Sequence, residues 1–324
     1  MATETAGVIR VALKFDGKAF QKGMTQSLGN LNSFAGAFRR VSDGMNRVFV
    51  RSLQAGTAAL VGFGAASVKI GSDFEQAMAF VGATANSIPG EMKALEREAR
   101  DIGKATLFTA REAAQGMTEF ARAGFTAGQI ISATRPAMLL AGATMSDMNT
   151  SSQAIAASLK QFGLQAEEAT RVSDVFALAT RKSLFTLQGL HTAMKYGGPQ
   201  ARAYGMSLEE ATAAMMMFRN IGLEAHQAGV YFRMMLAKTN NITPKAAAEL
   251  HKYGLSTAAI SLETNNFAGV LDNLGDAVKN GINLGKVFGV RAGPIVQVLV
   301  KNQKIAQDGW EEYTDALNHA AGTT

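Results

Sequence analysis

Four histidines, His191, His226, His251 and His319, are the side chains best suited to metal binding or proton transfer, and no two stand three or four residues apart. A zinc site needs several nitrogen or sulfur ligands converging on one point. The chain has no cysteine, which removes cysteine-ligated zinc, iron–sulfur clusters, disulfides and a thiol nucleophile. Neither a Gly-rich phosphate loop nor a Gly-x-Ser-x-Gly elbow occurs. Carboxylates are plentiful, but residues such as Glu91, Glu96 and Glu98 read as capping or exposed helical positions. A cell-wall hydrolase would need two carboxylates facing across a cleft, an arrangement that sequence alone leaves open. The expectation is a non-enzymatic protein with no cofactor and no metal.

Recognition by charge and apolar surface is what remains. The formal net charge is +6, and all of it resides in residues 1–70, which hold nine Lys/Arg against three acids. Arg39, Arg40, Arg47 and Arg51 concentrate this basic arm. Such a segment could face nucleic acid, an anionic membrane or an acidic partner, or be an ordinary solvated face.

The elements that carry these residues follow from periodicity. In 8–16, Ile9, Val11, Leu13 and Phe15 alternate with Arg10, Ala12, Lys14 and Asp16, the period of a β-strand. A lone strand should pair with another subunit or another protein, or with a short strand later in the chain. From about 18 to 50 the period becomes heptad: Phe20, Met24, Leu31, Phe34, Phe38, Val41, Met45 and Val48 fall on a/d positions, with Ser27 the exception. That fits a coiled-coil seam or a long core-facing helix, intermolecular or intrachain. Ser52–Val68 is uncharged and falls short of the roughly 20 residues that span a bilayer. The Ala58, Gly62, Ala66 ridge favours a buried helix there, over 52–70, rather than insertion. Met1–Gly7 is polar, so no signal peptide is expected.

Through the middle, helices announce their first turns. Ser72-Asp-Phe-Glu75, Thr109-Ala-Arg-Glu112 and Ser207-Leu-Glu-Glu210 fit the capping box, and Thr243-Pro244 sets a cap before Pro at N1. Thr109, Glu112, Ala113, Met117, Phe120, Gly124 and Ala127 recur as Ser207, Glu210, Ala211, Met215, Phe218, Gly222 and Ala225. A third copy, Phe162–Thr170, matches Tyr204–Thr212. Their spacings are unequal, which excludes a strict solenoid period; what repeats is a capped helical hairpin. Ile88-Pro89-Gly90 and Gly197-Gly198-Pro199 read as turns, Gly124 and Gly222 as left-handed helix ends, and Met215–Met217 and Met234-Met235 as core. Beyond 282, Gly285, Gly289 and Gly293-Pro294 read as breaks before the apolar run Ile295–Val300. Trp310–Thr324 starts amphipathic and shows no end cap.

Together these residues resemble the core region of phage tail tape measure proteins. The likeness lies in Ser72-Asp-Phe-Glu-Gln-Ala-Met78, Thr106-Leu-Phe-Thr-Ala-Arg-Glu-Ala-Ala114 and Phe120-Ala-Arg-Ala-Gly-Phe125. It continues in the run from Lys195-Tyr-Gly-Gly-Pro-Gln-Ala201 through Gly205–Ala211 to Gln227-Ala-Gly229. Two departures stand out: Val230-Tyr-Phe232 replaces a more usual small polar residue, and 324 residues is short for the family. As one helix the chain would reach at most about 490 Å at ~1.5 Å per residue. The resemblance implies a structural role: several copies inside the tail tube whose length sets the tail's length, leaving before or with the genome. It also implies contacts with tail-tube, tail-tip and baseplate proteins.

The expected architecture is all-α, a multi-helix domain of capped hairpins with a long N-terminal amphipathic helix and one short strand. Residues 1–70 form the basic arm, 71–281 the helical core and 282–324 an apolar helical segment continuing into a longer tape. The expected partners are the chain itself, as a trimer with a hexamer as the alternative, tail-tip and tail-tube proteins, and the DNA end. A membrane-active ejection protein, inserting Ser52–Val68 and Ile282–Val300 into the host envelope, is the alternative function.

Overall fold

A computed structural model of the chain describes residues 73–301 and 303–324, with the side chains of 303–309 left out. The strand at 8–16, the heptad helix at 18–50, the apolar helix at 52–70 and the Ser72 cap lie outside the described residues. Among the described residues every regular element is helical. Ser72–Thr324 form one compact unit.

The helices are α1 (73–85), α2 (Pro89–Ala105), α3 (Ala110–Arg122), α4 (Ala127–Thr144), α5 (Met148–Phe162) and α6 (Ala169–Lys182). They continue with α7 (Leu187–Ala203), α8 (Leu208–Asn220), α9 (Ala225–Asn240), α10 (Pro244–Lys252), α11 (Phe267–Lys279), α12 (Leu284–Lys301) and α13 (Gln303–Asn318). Capping sets most starts. At α3 the Thr109 N–H donates to Glu112 Oε2 at 2.7 Å and the Glu112 N–H to Thr109 Oγ1 at 3.2 Å. Ser207 and Glu210 repeat this at α8 at 2.9 and 3.1 Å, and Thr243 caps α10 with Pro244 at N1. Each cap contributes about 1 kcal/mol.

From α2 to α9 consecutive helices run antiparallel, while helices two apart pack side by side. Thus α2, α4, α6 and α8 make one layer, and α3, α5, α7 and α9 the other. Polar contacts within a layer join residues at a nearly constant separation. Gln153 reaches Glu119 across 34 positions, Ser173 donates to the Pro136 carbonyl across 37, and Arg171 grips Glu209 across 38. The chain therefore builds a two-layer stack of hairpins, the architecture of an α-solenoid. Its period, 38 or 39 residues between the starts Ala110, Met148, Leu187 and Ala225, is one the sequence spacings conceal. The copies beginning at Thr109 and Ser207 start helices in opposite layers, because a capping box answers a local need at any helix start.

Three readings of turn residues are corrected. Gly197, Gly198 and Pro199 lie inside α7 rather than in a turn. A Cβ on Gly197 would meet Met215 Cε at 2.8 Å, Phe232 Cδ1 at 2.9 Å and the Gly229 carbonyl at 3.1 Å. These glycines thus serve a close helix crossing, and Gly before Pro relieves the clash that normally ends a helix there. Ile88 is the cap of α2, so Pro89-Gly90 enter the helix. In α12 only Gly289 breaks, at φ 84°; Gly285 and Gly293 are helical and pack against each other. The expected left-handed ends at Gly124 and Gly222 are present, at φ 76° and 92°.

Several helix ends close in the same way, with a left-handed residue followed by an N–H donated back over five residues: Phe125 to Phe120, Leu164 to Leu159, Met206 to Ala201 and Ser146 to Ala141. Gly occupies the left-handed position in all but the last, where Met145 does so at φ 51° and is 95% exposed. A non-Gly residue there costs about 1–2 kcal/mol of local strain. Met145→Gly should therefore raise stability by about 1 kcal/mol, read as a higher denaturation midpoint at unchanged m-value.

After Asn240 the chain leaves the stack. The α10–α12 segment packs against α9, and α13 lies over α6, α8 and α11. The last residues are tied down: Trp310, Leu317 and Ala320 are buried, and Gly322 and Thr324 are bonded to Asp174.

Candidate interaction surface of the hairpin stack

Apolar turn residues are treated differently from turn to turn: Ile88 before α2 is 64% exposed and Phe185 after α6 only 4%. At one end, the turns after α3 and α7 place Phe125 and Met206 under the helices, each 5% exposed. At the other end, the turns after α2, α4 and α6 hold Leu107 at 84%, Met145 at 95% and Leu184 at 61% exposure.

Leu107 and Leu184 sit in one local motif, Thr106-Leu-Phe-Thr109 and Ser183-Leu-Phe-Thr186. In both copies the leading hydroxyl donates back to the carbonyl four residues earlier, Thr106 to Ile102 at 2.8 Å and Ser183 to Ala179 at 2.7 Å. It also accepts from the Phe N–H two residues on, at 3.2 and 3.3 Å. The Phe is drawn inward, the closing Thr caps the next helix, and the Leu is left pointing out. Around Leu184 the turn is further fixed, its N–H donating to Asn220 Oδ1 at 3.2 Å and its carbonyl accepting from Arg219 Nε at 3.1 Å. These leucines are displayed by ordered turns. The signal was present in the sequence as the repeated Ser/Thr-Leu-Phe-Thr, and periodicity did not single it out.

Between the α4 and α6 ends lies a groove of about 520 Å³, lined by Thr144, Met145, Thr180, Arg181, Phe185 and Leu187 among others. Among the described residues Arg181 is the one charged side chain in its lining. Beside it, burial works to raise the Asp147 carboxyl, but bonds from the Thr150 N–H and hydroxyl outweigh that and hold it below its ordinary value. Asp147 is thereby committed to capping α5. This end offers apolar and hydrogen-bonding contacts.

The histidines do not converge. His191 is partly buried, and burial together with neighbouring Lys195 lowers its pKa. His226 stands edge-on to Tyr196, and His319 faces Asp315 at 3.2 Å. Among the described residues no group of His, Asp or Glu is placed to hold a metal ion. Glu91 caps its own helix, and Glu96 and Glu98 pair with Arg100 and Arg135. The seam (Phe20, Met24, Leu31, Phe34, Phe38, Val41, Met45, Val48), the strand residues (Ile9, Val11, Leu13, Phe15) and the basic cluster (Arg39, Arg40, Arg47, Arg51) lie outside the described residues. No described helix is long and apolar enough to cross a membrane, and the apolar segment 282–300 is bent at Gly289 and buried along much of its length.

Comparison with known proteins falls on the same region. The family described as phage-related minor tail protein matches residues 96–289, more than half of the chain. A tape measure protein of Pneumococcus phage Dp-1 is 37% identical over 200 residues, 62% of this chain and 17% of that protein. A probable tape measure protein of Escherichia phage P2 is 27% identical over 168 residues, 52% of this chain and 21% of that one. The chain therefore spans about a fifth or less of these relatives. No solved structure matches it.

Proposed function

The chain belongs to the family of phage-related minor tail proteins, and from that premise we propose that it is the folded part of a tape measure, acting at the tip-proximal end of the phage tail. In this reading its role is structural rather than enzymatic. It takes part in setting tail length during assembly, lies within the tail tube and leaves with the genome at ejection. The likeness to two tape measure proteins carries the reading. The turn-displayed Leu107, Met145 and Leu184 support it, since they offer apolar contact to tail proteins.

The partners follow from the same premise. Three copies, or six, assemble through the seam from Phe20 to Val48, with Arg39, Arg40, Arg47 and Arg51 toward the DNA end or acidic tail-tip surfaces. A full chain that stays monomeric by native mass measurement would remove that seam. The membrane-active alternative rests on Ser52–Val68, and flotation of the chain with liposomes would favour it.

The deciding experiment is an in-frame deletion of 73–324 from the phage gene. Loss of tails of defined length is the expected result. Infective particles with tails of unchanged length would overturn the proposal.

A further inference from the structure

Asp174 is a carboxylate in the middle of α6, 2% exposed. No ion pair to a basic side chain reaches it among the described residues. Its side-chain bonds come instead from about 150 positions further along the chain. The Gly322 N–H donates to Oδ2 at 2.9 Å. The Thr324 N–H and hydroxyl donate to Oδ1 at 2.9 and 2.7 Å. Gly322 adopts φ 78°; its N–H and that of Thr324 reach the carboxylate, while the Thr323 N–H between them donates to the Ala320 carbonyl.

The segment ending in this turn lies over the stack. Lys182 of α6 pairs with Glu312 at 2.8 Å, Asn220 of α8 donates to the Tyr313 hydroxyl at 2.8 Å, and Trp310 packs on Phe267 with centroids 4.9 Å apart. Its weight shows in α8, where the residues from Leu208 to Phe218 are buried except Glu210. A helix buried on every side needs a neighbour on every side. For α8 these are α6, α7, α9 and α13.

We propose that residues 310–324 form a strap closed over α6 and α8, with Asp174 as its latch. The strap opens as a unit while the hairpin stack beneath it stays folded. Without the 322–324 turn Asp174 loses those three donors, and without the Asp174 charge the turn keeps at most a neutral, weaker acceptor. Charge-assisted bonds are about twice as strong as neutral ones, so Asp174 fastens the end of a segment that Glu312, Tyr313 and Trp310 hold further up. Opening uncovers the outer face of α8 and the Phe267 ring, converting a closed surface into an apolar one.

Hydrogen exchange on the full chain tests this. In the wild type, amides of 310–324 should exchange through an opening of lower free energy than those of α3–α9. In Asp174→Asn they should exchange about 10- to 100-fold faster, as expected for loss of bonds to a charged group, with α3–α5 unchanged. Thr324→Ala, which removes one donor and leaves the core untouched, should give a smaller acceleration confined to the same segment. Unchanged exchange of 310–324 in both variants, or acceleration spread equally over α3–α9, would overturn the latch.

Discussion

Gly229→Leu should leave the chain unable to hold α7 against α9, a loss of at least about 4 kcal/mol seen as a collapsed denaturation midpoint. A Cβ at 229 would stand 2.9 Å from both the Ala193 carbonyl carbon and its Cα, and closer still to the carbonyl oxygen. The obstacle is backbone of a helix packed on its other sides, so no rotamer change relieves it. Gly197 completes the crossing from the opposite helix, its missing side chain leaving room for Met215 and Phe232. Small residues let two helices approach to backbone contact, and that approach is irreplaceable at this crossing. Gly229→Ala should already destabilise clearly, by about 1–3 kcal/mol. A Gly229→Leu variant with a wild-type midpoint would show that α9 can shift, contrary to the packing described.

Phe232→Ala should cost about 3–5 kcal/mol, the range for emptying a fully buried aromatic site. Phe232 is 0% exposed, with the Phe218 ring 6.0 Å and the Phe267 ring 5.8 Å away, the latter edge-on. Phe267 continues to Trp310 at 4.9 Å. One line of aromatic contacts thus joins α8, α9, α11 and α13. The loss should therefore also lower protection of α11 and α13, and not of α3–α5. A cost below about 1.5 kcal/mol, the scale of a conservative core change, would mean that neighbouring side chains collapse into the space.

These two positions also show what was legible before folding. The runs Lys195–Ala201 and Gln227–Gly229 stood out as motifs, and the three-dimensional reason is that they are the two halves of one crossing. The replacement of a small polar residue by Val230-Tyr-Phe232 fits the same place, since Phe232 occupies the space that Gly197 leaves. Caps were readable because a hydroxyl and a carboxylate three residues apart satisfy backbone donors locally. Gly197-Gly198-Pro199 misled because turn chemistry and close packing call for the same residue type, and only the partner helix distinguishes them. The stack's period was hidden because it is a property of which helices touch, set by lengths of helices and turns rather than by residue identity. Of the candidate surface, Leu107 and Leu184 carried a sequence signature; Met145 carried none, since its left-handed conformation is imposed by the turn around it.

The two-layer stack has a consequence for measurement of distance. Each hairpin, 38 or 39 residues from Ala110 to Met148 to Leu187 to Ala225, advances the stack by one interhelical spacing, about 8–10 Å. The same residues in one continuous helix would reach about 55 Å. Per residue, the folded unit gauges thickness, at roughly a quarter of an ångström each, where a rod gauges length. Small insertions here would vanish into turns, and only whole hairpins would register as steps. Under the proposed tape measure role, fine graduation of a tail would have to be written in sequence that is not folded this way.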